Sequence, residues 1–206
     1  MSSQEEIVIV VMGSTGTGKS SFINLLTGDN TVKIGNTLNS ETSEIQLIRF
    51  IDPASRRKVV IVDTPGFDDS RSGVTNTNVL TTITEFLLEE YDKDRKINGL
   101  VYLHRISDTR FGGQASHNLK LFKSLCGRDN FKNVVALTTF WDRVDDETGR
   151  RREAELKAKF MKDLVEGGAH FMRHDRSMEG DRKVLKHILT LASTNHSYSR
   201  RDPCRG

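Results

Sequence analysis

One segment restricts this chain more than any other: Gly13-Ser14-Thr15-Gly16-Thr17-Gly18-Lys19-Ser20, which matches GxxxxGK[ST]. It directly follows the continuous β-branched run Ile7-Val8-Ile9-Val10-Val11 and opens a helical stretch from Lys19 to Leu26. A strand buried on both faces reads as such an unbroken apolar run. The strand–loop–helix context is the one in which this motif cradles phosphate: glycines let backbone N–H groups converge on phosphate oxygens, and the helix N-terminus adds its partial positive charge. Gly13 to Ser21 are therefore the candidate nucleotide-binding residues. Lys19 is placed to reach the β- and γ-phosphates, and the Ser20 hydroxyl to ligate Mg²⁺.

The rest of the chain fits a sheet wound with helices. Strands are expected at Glu44–Ile51, Val59–Val62, Gly99–Leu103 and Val134–Leu137, with a short sixth near Ala169–Phe171. The Glu44–Ile51 run alternates in polarity, which suits a sheet edge. Apolar residues spaced by three and four predict helices around Val79, Ile83, Phe86 and Leu87, around Leu119, Phe122 and Leu125 with Ser116 as N-cap, and around Leu156, Phe160 and Leu164. The last of these should carry the exposed pairs Glu153–Lys157 and Glu155–Lys159. A final helix is expected over Arg182–Leu191. Strands alternating with helices make this an α/β chain, a three-layer P-loop NTPase fold. The expected organisation is one domain over residues 1–195 and a disordered basic tail over 196–206.

Composition narrows the class further. Charged residues are 29% of the 206 and of mixed sign, with a formal net charge of +3. That is too little to argue for nucleic acid, and the short clusters Arg56-Arg57-Lys58 and Arg150-Arg151-Arg152 read as solvated faces. No apolar run has the length of a membrane span, and the acidic start MSSQEE lacks a leader's basic region. Cys126 and Cys204 are too few for a disulfide framework or a zinc site, and Cys204 stands third from the end, outside a prenylation box. The expectation is a cytosolic chain with no nucleic-acid partner, no membrane anchor and no metal besides Mg²⁺.

Val59-Val60-Ile61-Val62-Asp63 is apolar until it delivers a carboxylate, Asp63, to a magnesium shell. It continues as Asp63-Thr64-Pro65-Gly66, and DTPG is the switch motif of many GTPases. There the Gly66 amide would meet the γ-phosphate, so the loop could order and relax with nucleotide state. A switch threonine is needed between the two motifs. Thr31, Thr37 and Thr42 are candidates, and Thr42 is preferred because it lies just before the second strand. After the fifth strand, Thr138-Thr139-Phe140-Trp141-Asp142 occupies the place of [NT]KxD, whose Asp reads the guanine edge. Thr139 and Asp142 match, whereas Phe140 replaces the Lys whose stem would lie on the base; an aromatic ring could stack there, or Phe140 and Trp141 could be core. The remaining base-contacting loop is expected within Gly168 to Arg176.

The order GSTGTGKSSFIN, SETSEIQ, DTPGFDD and YLHRISDTR resembles the septin-like group of P-loop GTPases, above all the immunity-associated (GIMAP) and chloroplast-import-receptor (Toc) GTPases and their compact fungal relatives. The resemblance covers about residues 5–195. It implies a mixed, mostly parallel six-stranded sheet, GTP or GDP with Mg²⁺, slow hydrolysis and a homodimer across the nucleotide face. It assigns catalytic positions to Lys19, Thr42, Gly66 and Arg110, metal positions to Ser20, Thr42 and Asp63, and base or phosphate contacts to Gly13–Ser21, Thr139 and Asp142. Arg110 would approach the partner's nucleotide, although Arg105 or Arg110 could equally make only a structural ion pair. Where Ras-like GTPases carry a water-positioning Gln, this chain has Phe67, so hydrolysis would need backbone groups, another side chain or a partner. Two other readings stay open: a nucleotide-bound scaffold without catalysis, and an ATPase or small-molecule kinase.

Overall fold

The computed structural model describes residues 6–28, 45–67, 81–86, 88–89 and 97–199. Six strands form one sheet: β1 (Ile7–Gly13), β2 (Gln46–Ile51), β3 (Lys58–Asp63), β4 (Ile97–Arg105), β5 (Val134–Thr139) and β6 (His170–Arg173). Their spatial order is β2-β3-β1-β4-β5-β6. β2 runs antiparallel to β3, and all other neighbours are parallel. The chain is therefore the mixed α/β fold expected. The alternating run is the edge strand, as its polarity indicates, while every residue of β1 and β5 is buried.

Helices cover both faces: α1 (Lys19–Thr27), a helical segment over residues 81–86 (α2), α3 (Gly113–Cys126), α4 (Asp146–Glu155), α5 (Lys162–Glu166) and α6 (Met178–Ser199). Because successive strand side chains point to opposite faces, β1 feeds two cores. Ile7, Ile9 and Val11 pack with Phe22 and Ile23 of α1 and with Val184, Leu185 and Ile188 of α6. Val8, Val10 and Met12 pack with Tyr102, Phe122, Leu156 and Leu164. Each such fully buried side chain contributes roughly 1.5–3 kcal/mol relative to exposure. α2 belongs to the second core through Ile83, which is fully buried; Val79 and Leu87 lie outside the described residues.

Two expectations about helices are corrected. Ser116 is not the N-cap of α3. The helix starts a turn earlier, with Ser116 N donating to Gly112 O, so that Gln114 can reach Asn118 one turn further on. The helix drawn through Leu156, Phe160 and Leu164 is also broken. α4 ends at Glu155, a π turn spans Leu156–Phe160, and α5 begins at Lys162. Met161 N donates to Leu156 O, and this wider turn brings Met161 itself to full burial beside Leu156 and Leu164. The pairs Lys157–Glu153 (3.5 Å) and Lys159–Glu155 (3.0 Å) form as spaced. α4 has little apolar surface, but its start is written in Asp145, which accepts from Thr148 N, and in the acidic Asp146 and Glu147. α6 extends beyond both expected ends. Among the described residues no helix is long and apolar enough to cross a membrane.

Candidate functional site

The parallel strands β1, β3, β4 and β5 end at one edge of the sheet, where ligands of open α/β folds bind. β1 delivers Gly13 there, and the following loop is wound tightly: Thr17 N and Thr17 Oγ1 both donate to Ser14 O, at 3.3 and 2.8 Å. Gly16 and Gly18 hold positive φ angles of 73° and 95°, the sort of alternation that turns successive N–H groups inward. Lys19 is only 7% exposed, and its ammonium donates to Gly13 O and Ser14 O, both at 3.1 Å. α1 is capped by Gly18 with no side-chain cap and has no acid in its first turn. Its first amides, around Ser20 and Ser21, are thus left to a ligand or solvent.

Two distant side chains hold this loop. Thr139 Oγ1, at the end of β5, donates to Thr17 O at 2.9 Å. Asn118 of α3, fully buried, donates through Nδ2 to Ser14 Oγ at 2.8 Å and accepts from Gln114. Sequence reasoning did not find Asn118: a polar residue inside an amphipathic helix carries no local signal for a partner so far along the chain.

The DTPG turn leans on the same loop. Asp63 and Thr64 are fully buried, and Thr64 Oγ1 donates to Val11 O at 2.9 Å. Gly66 approaches so closely that a Cβ there would lie 2.7 Å from Thr15 N and 2.9 Å from Thr15 Cα. Phe67 N points to Gly13 O at 3.4 Å while its ring is fully buried in the core that also holds Val62 and Tyr102. The side chain at position 67 therefore cannot reach the loop mouth. Thr42, with Thr31 and Thr37, lies outside the described residues.

Beyond β5 the two aromatic residues divide. Trp141 packs on the core, with Nε1 donating to Thr138 Oγ1 at 2.9 Å. Phe140 has φ 58° and sits beside the phosphate-type loop, its ring 3.8 Å from the point where a Cβ on Gly18 would stand. The guanidinium carbons of Arg143 and Arg176 lie 4.7 and 5.0 Å from the Phe140 ring centre. Asp142 is exposed, with Oδ2 3.1 Å from Arg176 Nη1.

The two arginines after β4 also separate. Arg105 pairs with Asp108 at 3.0 Å and passes 3.5 Å from the Cβ position of Gly16. Arg110 is exposed and borders a cleft of about 310 Å³ with His104, Phe111, Arg152 and Phe160. His104 is buried there, and burial lowers its pKa to about 4, with Arg105 assisting and Asp108 opposing. As pH falls below the ordinary 6.5, the unfolded chain therefore takes this proton first. The stability from this site is complete above that value and drains as pH approaches 4. We expect it to cost about 2 kcal/mol between pH 7.5 and 5. Urea unfolding at both pH values checks this: His104→Gln should flatten the difference, and an unchanged difference would contradict it. His174 is a core residue, 2.7 Å from the fully buried Asp181, and His170 packs against His187.

Known proteins share this fold. A model of the family described as 50S ribosome-binding GTPase matches residues 8–111. GTP-binding protein A of Dictyostelium discoideum is 27% identical over 147 residues, which is 68% of this chain; the chain spans 29% of that protein's length. Among solved structures, Toc33 of Arabidopsis thaliana with Mg²⁺ and GMPPNP superposes with TM-score 0.69 at 18% identity, covering 93% of this chain and 86% of that one. A structure bearing on the chloroplast translocon components atToc33 and psToc159, for which dimerization is important for the GTPase activity, gives 0.72 at 17%, covering 92% and 84%. Era in complex with MgGDPNP and a segment of 16S ribosomal RNA gives 0.67 at 15%, covering 92% and 57%. That likeness leaves the expected lack of a nucleic-acid partner without support from the fold. The matched span runs from β1 through the loop, the DTPG turn and β4, and it identifies the chain as a member of the 50S ribosome-binding GTPase family.

Proposed function

We propose that this chain is a guanine-nucleotide switch of the septin-like, GIMAP/Toc type, which binds GTP and GDP with Mg²⁺, hydrolyses GTP slowly and dimerises through its nucleotide face. The G domain would occupy residues 1–195. The cradle fits a phosphate chain: a buried ammonium, an uncapped helix start and a fully buried carboxylate converge at one edge of the sheet. Ser20 and Asp63, with Thr42 from the segment before β2, would hold Mg²⁺, which neutralises charge on the β- and γ-phosphates. Lys19 would hold those oxygens, the amides of Gly13–Ser21 would wrap them, and the Gly66 amide would sense the γ-phosphate. Thr139 would position the base end by tying β5 to Thr17, and Asp142 would accept from the guanine edge.

The observation that carries slow, assisted hydrolysis is Phe67. Its ring is sealed in the core, so no side chain at that position orients water. Arg110 is an exposed cation that follows β4, the strand next to β1 in the sheet, and would meet a second subunit's nucleotide. The same burial of Phe67 favours one other reading, a nucleotide-bound scaffold that does not turn over.

Phosphate release per subunit, measured on stripped protein with GTP and Mg²⁺ over a wide range of protein concentration, separates the two. We expect specific activity to rise with concentration and to fall by roughly tenfold or more in Arg110→Ala. A flat, near-zero rate with GTP retained intact supports the scaffold instead.

A further inference from the structure

Asp142 shares its corner of the site with a side chain that sequence spacing does not single out. Arg176 stands in the loop between β6 and α6, places Nη1 3.1 Å from Asp142 Oδ2, and lies over the Phe140 ring at 5.0 Å. Phe140 in turn borders Gly18 of the phosphate-type loop. One residue from each of two loops, Asp142 and Arg176, thus meets beside the cradle, with the Phe140 ring against the Arg176 guanidinium.

The loop that carries Arg176 is firmly built. His174 N donates to Thr138 O at 2.8 Å, and His174 Nδ1 meets the buried Asp181 carboxylate at 2.7 Å. Asp175 Oδ1 accepts from Ser177 N and Ser177 Oγ at 2.9 and 2.6 Å. Between these anchors Arg176 takes φ 58°, a region that side chains other than glycine enter at a cost. The ion pair with Asp142 does not repay that cost. Its side chains are 45% and 52% exposed, and such pairs contribute little. The anchors on either side hold the residue in this conformation.

Resting on the guanine reading above, we propose that Arg176 is a specificity-determining residue that donates to guanine O6 and N7 while Asp142 accepts from N1–H and the 2-amino group. A guanidinium and a carboxylate held side by side present a donor beside an acceptor. Guanine presents the complement, O6 beside N1–H. Arginine is suited to the O6/N7 pair because its fork matches both acceptors. Adenine keeps N7 but places an amino donor where guanine has O6, so Arg176 loses one arm of its fork and faces a donor there. Phe140, in place of a lysine, backs the Arg176 guanidinium.

The test titrates GDP, IDP and ADP into the stripped full chain with Mg²⁺. Hypoxanthine keeps O6 and N7 but lacks the 2-amino group, so it separates the two roles. Arg176→Ala should weaken GDP and IDP equally, by about tenfold, and weaken ADP much less; Arg176→Lys should recover part of the loss. Asp142→Ala should weaken GDP more than IDP. GDP affinity that is unchanged or raised in Arg176→Ala overturns the proposal, since Arg176 would then merely compete for Asp142. Equal losses for all three nucleotides also overturn it, as a general disturbance of the loop. If the unsubstituted chain binds ADP as well as GDP, or binds neither, the guanine reading itself fails and Arg176 falls with it.

Discussion

Replacing Lys19 with methionine is expected to weaken GTP binding by roughly a hundredfold while the chain still folds. The ammonium is 7% exposed and its hydrogen bonds are to the loop's own carbonyls, Gly13 O and Ser14 O. It therefore stands inside the curl of the loop, where a phosphate oxygen would exchange for those acceptors. A hydrogen bond to a charged group contributes about 1.5–3 kcal/mol, and one at the strong end of that range corresponds to a hundredfold, about 2.7 kcal/mol. Methionine keeps the aliphatic stem and removes the charge with its donors; Gly13 O still accepts from Phe67 N and Ser14 O from Thr17, so the unfolding midpoint should stay near that of the parent. Titration with a fluorescent GTP analogue, alongside thermal unfolding, reads both effects. Unaltered affinity would place the phosphates elsewhere.

Gly66→Ala is expected to abolish most GTP turnover, by a different route. The added methyl would stand 2.7 Å from Thr15 N and 2.9 Å from Thr15 Cα, both backbone atoms of the loop, which cannot swing aside. Either the DTPG turn lifts away or the loop opens. Overpacking of this kind costs typically 1–3 kcal/mol, and here the strain falls on the contact between the DTPG turn and the glycine loop. Turnover should drop tenfold or more, with GDP affinity changed much less, since the Gly66 amide is the one proposed to meet the γ-phosphate. Gly112→Ala serves as the control, because nothing lies within 4 Å of its Cβ position. Single-turnover phosphate release on both variants decides the matter. Equal rates in the two would show that the turn does not act through Thr15.

What could be read from the sequence follows the reach of each signal. Buried parallel strands announce themselves as continuous apolar runs, and all of β1, β3 and β5 stood where such runs stand. The edge position of β2 showed in its alternation. The strand–glycine loop–lysine segment is a contiguous device, so its geometry could be anticipated residue by residue. Long-range partners left no such trace. Asn118 touches Ser14 across the fold, and Arg176 touches Asp142 only because β6 lies beside β5. The π turn was hidden because a spacing of four between Leu156, Phe160 and Leu164 reads as an ordinary helix, whereas Met161 needed the extra residue to reach the core. Ser116 misled for a related reason: a hydroxyl before an apolar repeat suits a cap, yet Gly112 O had already begun the helix.

The most direct test of the account is equilibrium binding of GTP and of ATP to the stripped full chain, with and without Mg²⁺. One GTP should bind per chain, tightened by Mg²⁺, with ATP bound far more weakly. ATP bound as tightly as GTP, or no binding of either, would contradict it.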